Sequence, residues 1–298
     1  MERLVRIAKK LRLEHNFNGY IHLKSIPGAS DELMNEAGLY ADRLSVNLEM
    51  PTEAGLKLLA PDKNQADMIK PMGFLKNAII QRAEEKKRFK KAPIFAPAGQ
   101  STQVIIGATP ENDSEVLQSA NYFYNNFNLK RVYYSGYVPV LADSRLPALN
   151  TTVPMVRENR LYQADWLMRF YGFQVNEIVN TQQPHLDLDI DPKLGWAIRN
   201  MQAFPIDVNK ADLQMILRVP GIGLLSAQKI VKARIFGKLN WDQLKKIGVS
   251  LNRAKYFITC KSNEFERRDL TGSNIKQFIL ATSQSKYLKN TQSQLSLF

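Results

Sequence analysis

The chain contains 298 residues, of which 44% are hydrophobic and 23% charged, and its formal net charge at pH 7 is +13. This length is enough for roughly two domains, and no run of about 18 apolar residues is present to form a membrane span. The single cysteine, Cys260, excludes an internal disulfide framework and predicts a reducing, cytoplasmic location.

The first 145 residues alternate between predicted helices and strands. They begin with MERLVRIAKKLRLEH, which is typical of a charged amphipathic helix rather than a signal peptide. Helices are predicted at Met1–His15, Asp31–Gly38, Glu53–Leu59, Lys76–Lys91 and Ser114–Asn126, and strands at Tyr20–Lys24, Arg43–Glu49, Thr102–Gly107 and Arg131–Val138. Repeated β-α units of this kind indicate an α/β fold with parallel strands and helices on the outside.

Polar residues follow one face of the predicted strands. In the strand Arg43–Glu49, the residues Ser45, Asn47 and Glu49 alternate with apolar ones, so the two sets point to opposite faces. An open parallel sheet covered on both sides would be apolar on both faces. The polar face therefore predicts a barrel whose lumen holds a ligand near the carboxyl ends of the strands. A sheet face covered by polar loops is the alternative.

The segment Gly107–Glu115 follows a predicted strand, at the position where barrels build their ligand sites. It ends in a predicted helix N-cap at Asp113 or Ser114, just ahead of Glu115. A helix N-terminus can hold an anion or ribose hydroxyls. Because caps of this kind occur in helices everywhere, the pattern by itself assigns no ligand.

Residues 146–203 predict a helical connection between two domains. Within them, Asn159–Phe173 (NRLYQADWLMRFYGF) is an aromatic-rich amphipathic helix. Helical spacing directs one set of its side chains to a core, namely Leu161, Trp166 or Leu167, and Phe170. Contact of these rings and neighbouring arginines with nucleic acid is the alternative. The three histidines are scattered along the chain, so no metal site is predicted.

The stretch RVPGIGLLSAQKI interrupts a helical pattern with a tight turn and resumes it at once. A helix over Asn209–Leu217, capped by Asn209, precedes the turn Pro220–Gly223, and a second helix is predicted over Leu224–Arg234. This is the helix-hairpin-helix pattern, which is typical of proteins that bind the DNA backbone.

The residues of this first hairpin suit a phosphate ligand. Gly221 and Gly223 let the backbone approach a phosphate closely, and the N–H groups that start the second helix bind it with the aid of the helix dipole. Ile222 packs inward to hold the turn. Ser226 and Lys229 lie one turn further along, placed for phosphate contacts.

A weaker repeat follows, and its second helix carries Arg253 and Lys255. Its parts are predicted at Trp241–Lys246, Ile247–Val249 and Leu251–Phe257. Two such units commonly form one domain, here residues 204–260, that grips duplex DNA by its backbone without reading sequence. Hairpins used only for packing or protein contacts are the alternative.

Positive charge is concentrated towards the end of the chain. From Phe204 to Phe298 there are 16 Lys and Arg residues against 6 Asp and Glu residues, which gives this third a net charge of +10. Such asymmetry predicts a polyanionic partner, here double-stranded DNA, and hence association with the nucleoid. A basic surface that serves only solubility is the alternative.

Several segments in combination resemble the DNA modification and repair proteins of the radical S-adenosylmethionine superfamily. They are GYIHLKSIPGA, RLSVNLEMPTE, LKLLAPDK, PAGQSTQVIIGATPE, RLYQADWLMRFYGF, DSRLPALN and VPGIGLLSAQKIV. The resemblance extends over nearly the whole chain. It implies a partial (β/α) barrel over residues 1–145 that lacks its first strands, binds S-adenosylmethionine beside a 4Fe-4S cluster and is tethered to the DNA-binding domain.

The resemblance also implies which residues bind the cofactor. Ser45, Asn47 and Glu49 would fall on the strand that contacts the ribose and methionine, and Gly107 and Thr109 would lie near the adenine. The glycine-rich pattern of the family at this second strand is matched only in part.

The cluster ligands of the family are missing from this chain. The family ligates its cluster with three cysteines in a C-x-x-x-C-x-x-C motif after the first strand, and one cysteine cannot replace three thiolates. We expect the missing β-α units to lie upstream of Met1 and the chain as written to perform no radical chemistry. Two hypotheses follow: the inactive C-terminal two-thirds of a DNA-directed enzyme, or a non-catalytic DNA-binding adaptor. An in-frame cysteine triplet upstream would favour the first.

Residues 261–298 predict a basic tail in which Ala281–Ser293 is disordered, because it has too few apolar residues to bury a core. The tail ends in QLSLF, which resembles the short peptide by which bacterial DNA-repair and replication proteins dock on the sliding clamp. In that role Leu297 and Phe298 would fill an apolar pocket, Leu295 would add a side contact and Gln294 would hydrogen-bond at the rim. A tail folded back onto its own core is the alternative.

We expect a fluorescent peptide of the last ten residues to bind a bacterial sliding clamp with an affinity of about micromolar, because a flexible peptide loses entropy on binding. Fluorescence polarisation against purified clamp measures this. Changing Leu297 and Phe298 to Ala removes the apolar anchors and should abolish binding; equal binding by both peptides would contradict the docking role.

Overall fold

The computed structural model describes residues 1–26, 28–261 and 271–282, which divide into two compact units. Unit 1 comprises Met1–Tyr162 and Thr181–His185, and unit 2 comprises Gln163–Asn180 with the described residues from Leu186 onward. The predicted connection 146–203 is thus divided between the two units rather than forming a body of its own. Among the helices of the described ranges, none has the length and apolar character needed to cross a bilayer.

Unit 1 alternates helices with strands, which confirms the predicted α/β class. Its elements are α1 (Glu2–Leu13), β1 (His22–Lys24), α2 (Asp31–Tyr40), β2 (Arg43–Ser45), α3 (Glu53–Leu59), α4 (Ala66–Arg88), β3 (Gln100–Ile106), α5 (Asp113–Phe127), β4 (Arg131–Gly136) and the start of α6 (Met155–Tyr171). All strand pairs of this sheet are parallel, and the strands lie side by side in chain order, β1-β2-β3-β4. Because parallel crossovers are right-handed, strands added in this order keep their crossover helices on one face.

The core of unit 1 lies between this helical face and the sheet. Leu44 and Leu48 on one side and Met72 and Leu75 of α4 on the other are almost completely buried. Gln100, at the start of β3, ties the layers together, because its side-chain amide donates to the carbonyl of Met72 at 3.1 Å and to that of Phe127 at 2.6 Å. One buried amide thereby satisfies carbonyls from α4 and from the end of α5.

The helix predicted at Lys76–Lys91 begins ten residues earlier, at Ala66, and runs through Pro71 to Arg88. Two other predicted boundaries in unit 1 are wrong for identifiable reasons. The strand predicted over Arg43–Glu49 leaves the regular ladder after Ser45, because the Leu48 amide donates to the Thr102 hydroxyl at 3.0 Å instead of to a carbonyl. The cap of α5 is Asn112 rather than Asp113 or Ser114. Asn112 and Glu115 form a capping box, with side-chain to backbone hydrogen bonds of 3.0 and 2.8 Å.

Unit 2 is mainly helical. Its elements are the end of α6, α7 (Val175–Ile178), α8 (Pro192–Arg199), β5 (Ile206–Asp207), α9 (Leu213–Arg218), α10 (Leu224–Ala233), α11 (Trp241–Ile247), α12 (Leu251–Ala254), β6 (Ile258–Thr259) and α13 (Gly272–Thr282). The short strands β5 and β6 pair in parallel, so they join the segments just before α9 and just after α12. The two predicted hairpins lie between them.

Asp212 caps α9, where Asn209 was predicted. The Asp212 carboxylate accepts the amide of Met215 at 2.7 Å, and the helix begins three residues later than expected. Asn209 instead exchanges two hydrogen bonds with the backbone of Leu239, at 2.7 and 3.2 Å. Because the Asn209 side chain bonds to Leu239, it does not cap the helix as the sequence pattern predicted.

The aromatic helix α6 differs from its predicted packing. Leu161 is buried as expected, and of the alternatives Trp166 and Leu167 it is Leu167 that is buried, while Trp166 is 52% exposed. Phe170, which was predicted to face the core, is 42% exposed. The two leucines and the two rings therefore occupy different sides of the helix.

Candidate functional sites

The two hairpins of unit 2 share one backbone geometry. Each turn contains a glycine with a left-handed conformation, Gly221 at φ +88° and Gly248 at φ +100°. Each glycine is followed by a buried apolar residue, Ile222 in the first turn and Val249 in the second. The second turn, weaker in sequence, thus folds in the same way as the first.

The two turns also pack against each other through reciprocal contacts. The Ser250 amide of the second turn donates to the Gly221 carbonyl of the first at 2.9 Å. In return, the Ser226 hydroxyl donates to the Gly248 carbonyl at 3.2 Å. Ala227 of α10 and Ala254 of α12 are fully buried. The two turns are thus joined by hydrogen bonds in both directions.

The two glycines of the first turn have different roles. A Cβ atom on Gly221 would lie 2.6 Å from the Ser250 carbonyl oxygen and 3.1 Å from the Arg253 Cβ, so this glycine permits contact between the hairpins. Gly223 is exposed, and a Cβ there would meet only the Tyr171 hydroxyl, at 3.9 Å. Of the pair, Gly223 is therefore the glycine with open space in front of it.

Backbone donors are exposed where α10 begins. Among the described residues, none accepts a hydrogen bond from the N–H groups of Gly223 or Leu225. The amide between them, that of Leu224, donates to the Tyr171 hydroxyl at 3.1 Å. Lys229 is exposed one turn along the same helix. Unpaired amides at a helix N-terminus beside a lysine form a concentration of positive charge that suits an anion.

The remaining predicted phosphate ligands occupy other positions. The Ser226 hydroxyl is engaged with the second turn, as described above, and its residue is buried. The Arg253 guanidinium forms an ion pair with Asp191. Lys255 is half-buried, with its amine 5.0 Å from the centre of the Tyr256 ring. Of these three side chains, none is as accessible as Lys229.

Sequence reasoning missed Lys193, which supports the first turn from behind. Its side-chain amine donates to the Ile222 carbonyl at 2.6 Å and lies 4.8 Å from the centre of the Tyr171 ring. The residue is 8% exposed. Burial lowers the pKa of Lys193 to about 7; Asp191 opposes this shift, and Arg253 adds to it. Lys193 follows Pro192, the first residue of α8, and a lysine at such a position is usually on the surface. The sequence therefore did not indicate that Lys193 is buried.

In unit 1, polar side chains form a row across one face of the sheet, from the segment after β2 over β3 to β4. The Asn47 amide donates to the Gln103 side-chain oxygen at 3.3 Å, and the Gln103 amide donates to the Ser135 hydroxyl at 2.8 Å. Ser45 is directly opposite Ser101 in the β2–β3 register, so the two hydroxyls share this face. The Ser101 hydroxyl is fully buried and has no hydrogen-bond partner among the described residues.

Glu49 has an uncommon backbone conformation at the end of this row. Its φ is +63°, in the left-handed region that non-glycine residues rarely adopt. The backbone is held there by β3, because the Glu49 amide donates to the Gln103 carbonyl at 3.2 Å and the Glu49 carbonyl accepts the Ile105 amide at 2.7 Å. Its carboxylate is 3.4 Å from the Lys24 amine. Strained residues of this kind are concentrated at functional sites.

The loop after β3 is organised by Glu111, a second residue that the sequence analysis did not select. Its carboxylate is buried and accepts hydrogen bonds from the hydroxyls of Thr109 and, at 2.6 Å, Thr52. Gly107 has φ +77°, and a Cβ there would clash with the Val153 side chain. Gly107 and Thr109 thus serve the packing of the loop that follows the carboxyl end of β3.

Comparisons with protein-family models, with curated proteins and with solved structures found no match. Among the described residues, no group of three or more His, Cys, Asp or Glu side chains is arranged to hold a metal ion. The predicted disorder of Ala281–Ser293 is wrong at its start, because Ala281 and Thr282 belong to helix α13; the rest of that segment lies outside the described residues. The predicted clamp-binding residues Gln294, Leu295, Leu297 and Phe298 also lie outside them.

We expect Gly221→Ala to destabilise unit 2 by about 2 kcal/mol or more, because the left-handed backbone and the nearby Ser250 carbonyl both oppose a Cβ atom. Gly223→Ala is the matched control and should cost about 1 kcal/mol or less. All three tryptophans of the chain, Trp166, Trp196 and Trp241, lie in unit 2, so urea unfolding followed by tryptophan fluorescence reports on this unit. Equal losses in the two variants would contradict the assignment.

The lowered pKa of Lys193 predicts that unit 2 becomes more stable as the pH rises from about 7 to 10.5. In that window the unfolded chain binds a proton that folded Lys193 has released, so the free energy of unfolding increases, by up to about 1.4 kcal/mol per pH unit. Below about pH 7 both states are protonated and the effect ends. Urea unfolding at several pH values measures it. Lys193→Met should remove the difference, and identical pH slopes in the two proteins would contradict the burial of a neutral amine.

Proposed function

We propose that this protein binds the sugar–phosphate backbone of duplex DNA through the tandem hairpins of unit 2. The observation that carries the proposal is the start of α10, where the exposed residues Gly223 and Leu225 have N–H groups with no acceptor among the described residues. Backbone amides at a helix N-terminus bind phosphate without contacting bases, so the proposed binding is independent of sequence.

The charge around the hairpins supports this ligand. Residues 204–261, all of them described, carry 11 Lys and Arg residues against 3 Asp and Glu residues. Exposed lysines accompany both hairpins, among them Lys229 on α10 and Lys245 and Lys246 on α11. Because DNA presents a continuous array of phosphates, an excess of cations of this size favours it over a single small anion.

A second proposal concerns unit 1, whose polar row suits an adenosyl cofactor such as S-adenosylmethionine. The strained backbone of Glu49 and the buried, unpartnered hydroxyl of Ser101 are the observations that favour a ligand there. Ser45, Asn47 and Glu49 would hold its polar groups, and a chain-ordered parallel sheet with one polar face is compatible with part of a (β/α) barrel. When bound, the cofactor would supply an activated carbon–sulfur bond.

A 4Fe-4S cluster does not fit this chain. Such clusters are ligated by several thiolates, and the sequence contains one cysteine, Cys260, which is buried in unit 2. We therefore propose no radical step for the chain as written. A non-catalytic protein that binds DNA and docks on the sliding clamp is the alternative role. This alternative rests on the QLSLF peptide. Contact of the hairpins with DNA and of the peptide with the clamp would together bind more strongly than either contact alone.

We expect the full chain to bind a duplex of random sequence with an affinity that falls steeply as salt rises, because phosphate contacts release counterions. Fluorescence anisotropy at several salt concentrations measures the slope. Lys229→Ala should weaken binding equally for all sequences and reduce the slope by about 1. Gly223→Ala should also weaken binding, since its Cβ would occupy the space in front of the free amides.

Lys210→Ala is the matched control. Lys210 is also exposed but lies beside the other end of α10, where Arg234 donates to the carbonyls of Val208 and Ala211. It should retain the affinity of the unmodified chain within about two-fold, as expected for a cation outside the contact surface. Absence of duplex binding at low salt, or equal effects of the two lysine substitutions, would contradict the hairpin interface.

Binding of S-adenosylmethionine can be measured by equilibrium dialysis with labelled ligand. We expect Glu49→Gln to weaken it, since a carboxylate can pair with the sulfonium or amino group of the ligand. Glu53→Gln is the control, because Glu53 is exposed on α3 and pairs only with the neighbouring Lys57 among the described residues. Equal retention by both variants would remove Glu49 from the proposed site.

A further inference from the structure

An exposed pair of aromatic rings lies on α6 within unit 2. Trp166 and Phe170 are one helical turn apart, and their ring centres are separated by 4.3 Å at an interplanar angle of 45°. They are 52% and 42% exposed, whereas Trp196 and Trp241 are 7% and 9% exposed. Large aromatic side chains dominate the energetics of cores and interfaces. An adjacent pair left in water therefore indicates a contact surface.

The pair is connected to the first hairpin through the next residue of the helix. Tyr171 follows Phe170 directly, and its hydroxyl accepts the Leu224 amide at 3.1 Å. That amide lies between the unpaired N–H groups of Gly223 and Leu225. Phe170 is thus one residue from the point where α6 contacts the proposed phosphate site, and Trp166 is about 6 Å further along the helix axis.

A cation accompanies the rings. The Arg169 guanidinium lies 4.8 Å from the centre of the Phe170 ring and 6.0 Å from that of Trp166. An ion pair with Asp165, at 2.6 Å, orients it. The rings and the guanidinium suit a flat base, and the backbone amides that the adjacent Tyr171 contacts suit a phosphate, so the two sets match the two parts of a nucleotide.

We propose that Trp166 and Phe170 stack on an unpaired nucleobase of the DNA whose backbone is bound at the first hairpin. This inference rests on the proposed DNA binding and adds a preference to it. In a paired duplex, the faces of each base are covered by its neighbours. An unpaired or displaced base offers a free face, and aromatic side chains bind such a face with little dependence on base identity.

The test compares three DNA probes with the full chain: a fully paired duplex, the same duplex with one unpaired adenine, and a single strand. We expect the probe with the unpaired adenine to bind about ten-fold more tightly than the paired one. Trp166→Ala and Phe170→Ala should remove most of this preference and keep the affinity for the paired duplex within about two-fold. Thermal unfolding of each variant verifies that these surface substitutions leave the fold intact.

Phe236→Ala is the matched control. Phe236 is 91% exposed in the same unit, but it follows the carboxyl end of α10 rather than its start, so the variant should retain the full preference. Because the other two tryptophans are buried, acrylamide quenching reports mainly on Trp166. The duplex with the unpaired adenine and the single strand should protect Trp166, and the fully paired duplex should not.

A preference that survives Trp166→Ala, or a Trp166 that every probe leaves open to acrylamide, would overturn the inference and assign the pair to a protein partner. Equal affinity for paired and unpaired probes would also overturn it while leaving backbone binding intact. Absence of binding to all probes would contradict the proposed function itself, and this inference with it.

Discussion

A backbone hydrogen bond joins the Ser250 amide of one hairpin to the Gly221 carbonyl of the other. The close approach of the two turns that this bond requires is the constraint on which the arrangement of the hairpins in unit 2 depends. No side chain fits at Gly221, because the Ser250 carbonyl lies where a Cβ would stand. The reciprocal bond from Ser226 to the Gly248 carbonyl fixes the opposite side of the contact. Two short helical turns that would be marginal alone thereby become one element with a defined orientation.

This contact also determines which groups remain for a ligand. The groups that hold the hairpins together are bonded to each other, whereas the Gly223 and Leu225 amides have no acceptor among the described residues. Lys193 and Tyr171 brace the same turn from within the unit, one at the Ile222 carbonyl and the other at the Leu224 amide. Burial lowers the pKa of Lys193. Its amine donates a hydrogen bond to the Ile222 carbonyl that an apolar residue could not make.

In unit 1 the corresponding constraint is the order of the strands. Because the strands lie side by side in chain order, the crossover helices pack on one face of the sheet, and the apolar side chains of the strands point to that face. The other face keeps a chain of hydrogen bonds from Asn47 through Gln103 to Ser135. Such a network is stable only while its members satisfy one another. On this face the Ser101 hydroxyl has no hydrogen-bond partner among the described residues. The backbone of Glu49, at the end of the row, is strained.

The sequence by itself determined the α/β class of the fold, its parallel strands, the positions of the two Gly-containing turns between helices and the concentration of positive charge near them. Periodicity, Pro-Gly turns and alternating polarity are local signals, and each element follows from a few adjacent residues. For the same reason the sequence predicted the inward-facing Ile222 and the exposed Lys229. It also located the polar row of unit 1, because alternation along one strand reveals its two faces.

Tertiary structure decided how those residues are used, because partners distant in the chain compete for the same groups. Ser226 and Arg253 suited phosphate by type, yet Gly248 and Asp191 engage them. Trp166 suited a core by helical spacing, but Leu167, its neighbour in the chain, occupies the buried side of α6. The burial of Lys193 has no local signal at all. Which amide, ring or cation remains open depends on contacts between residues tens of positions apart, and these exist only in the folded chain.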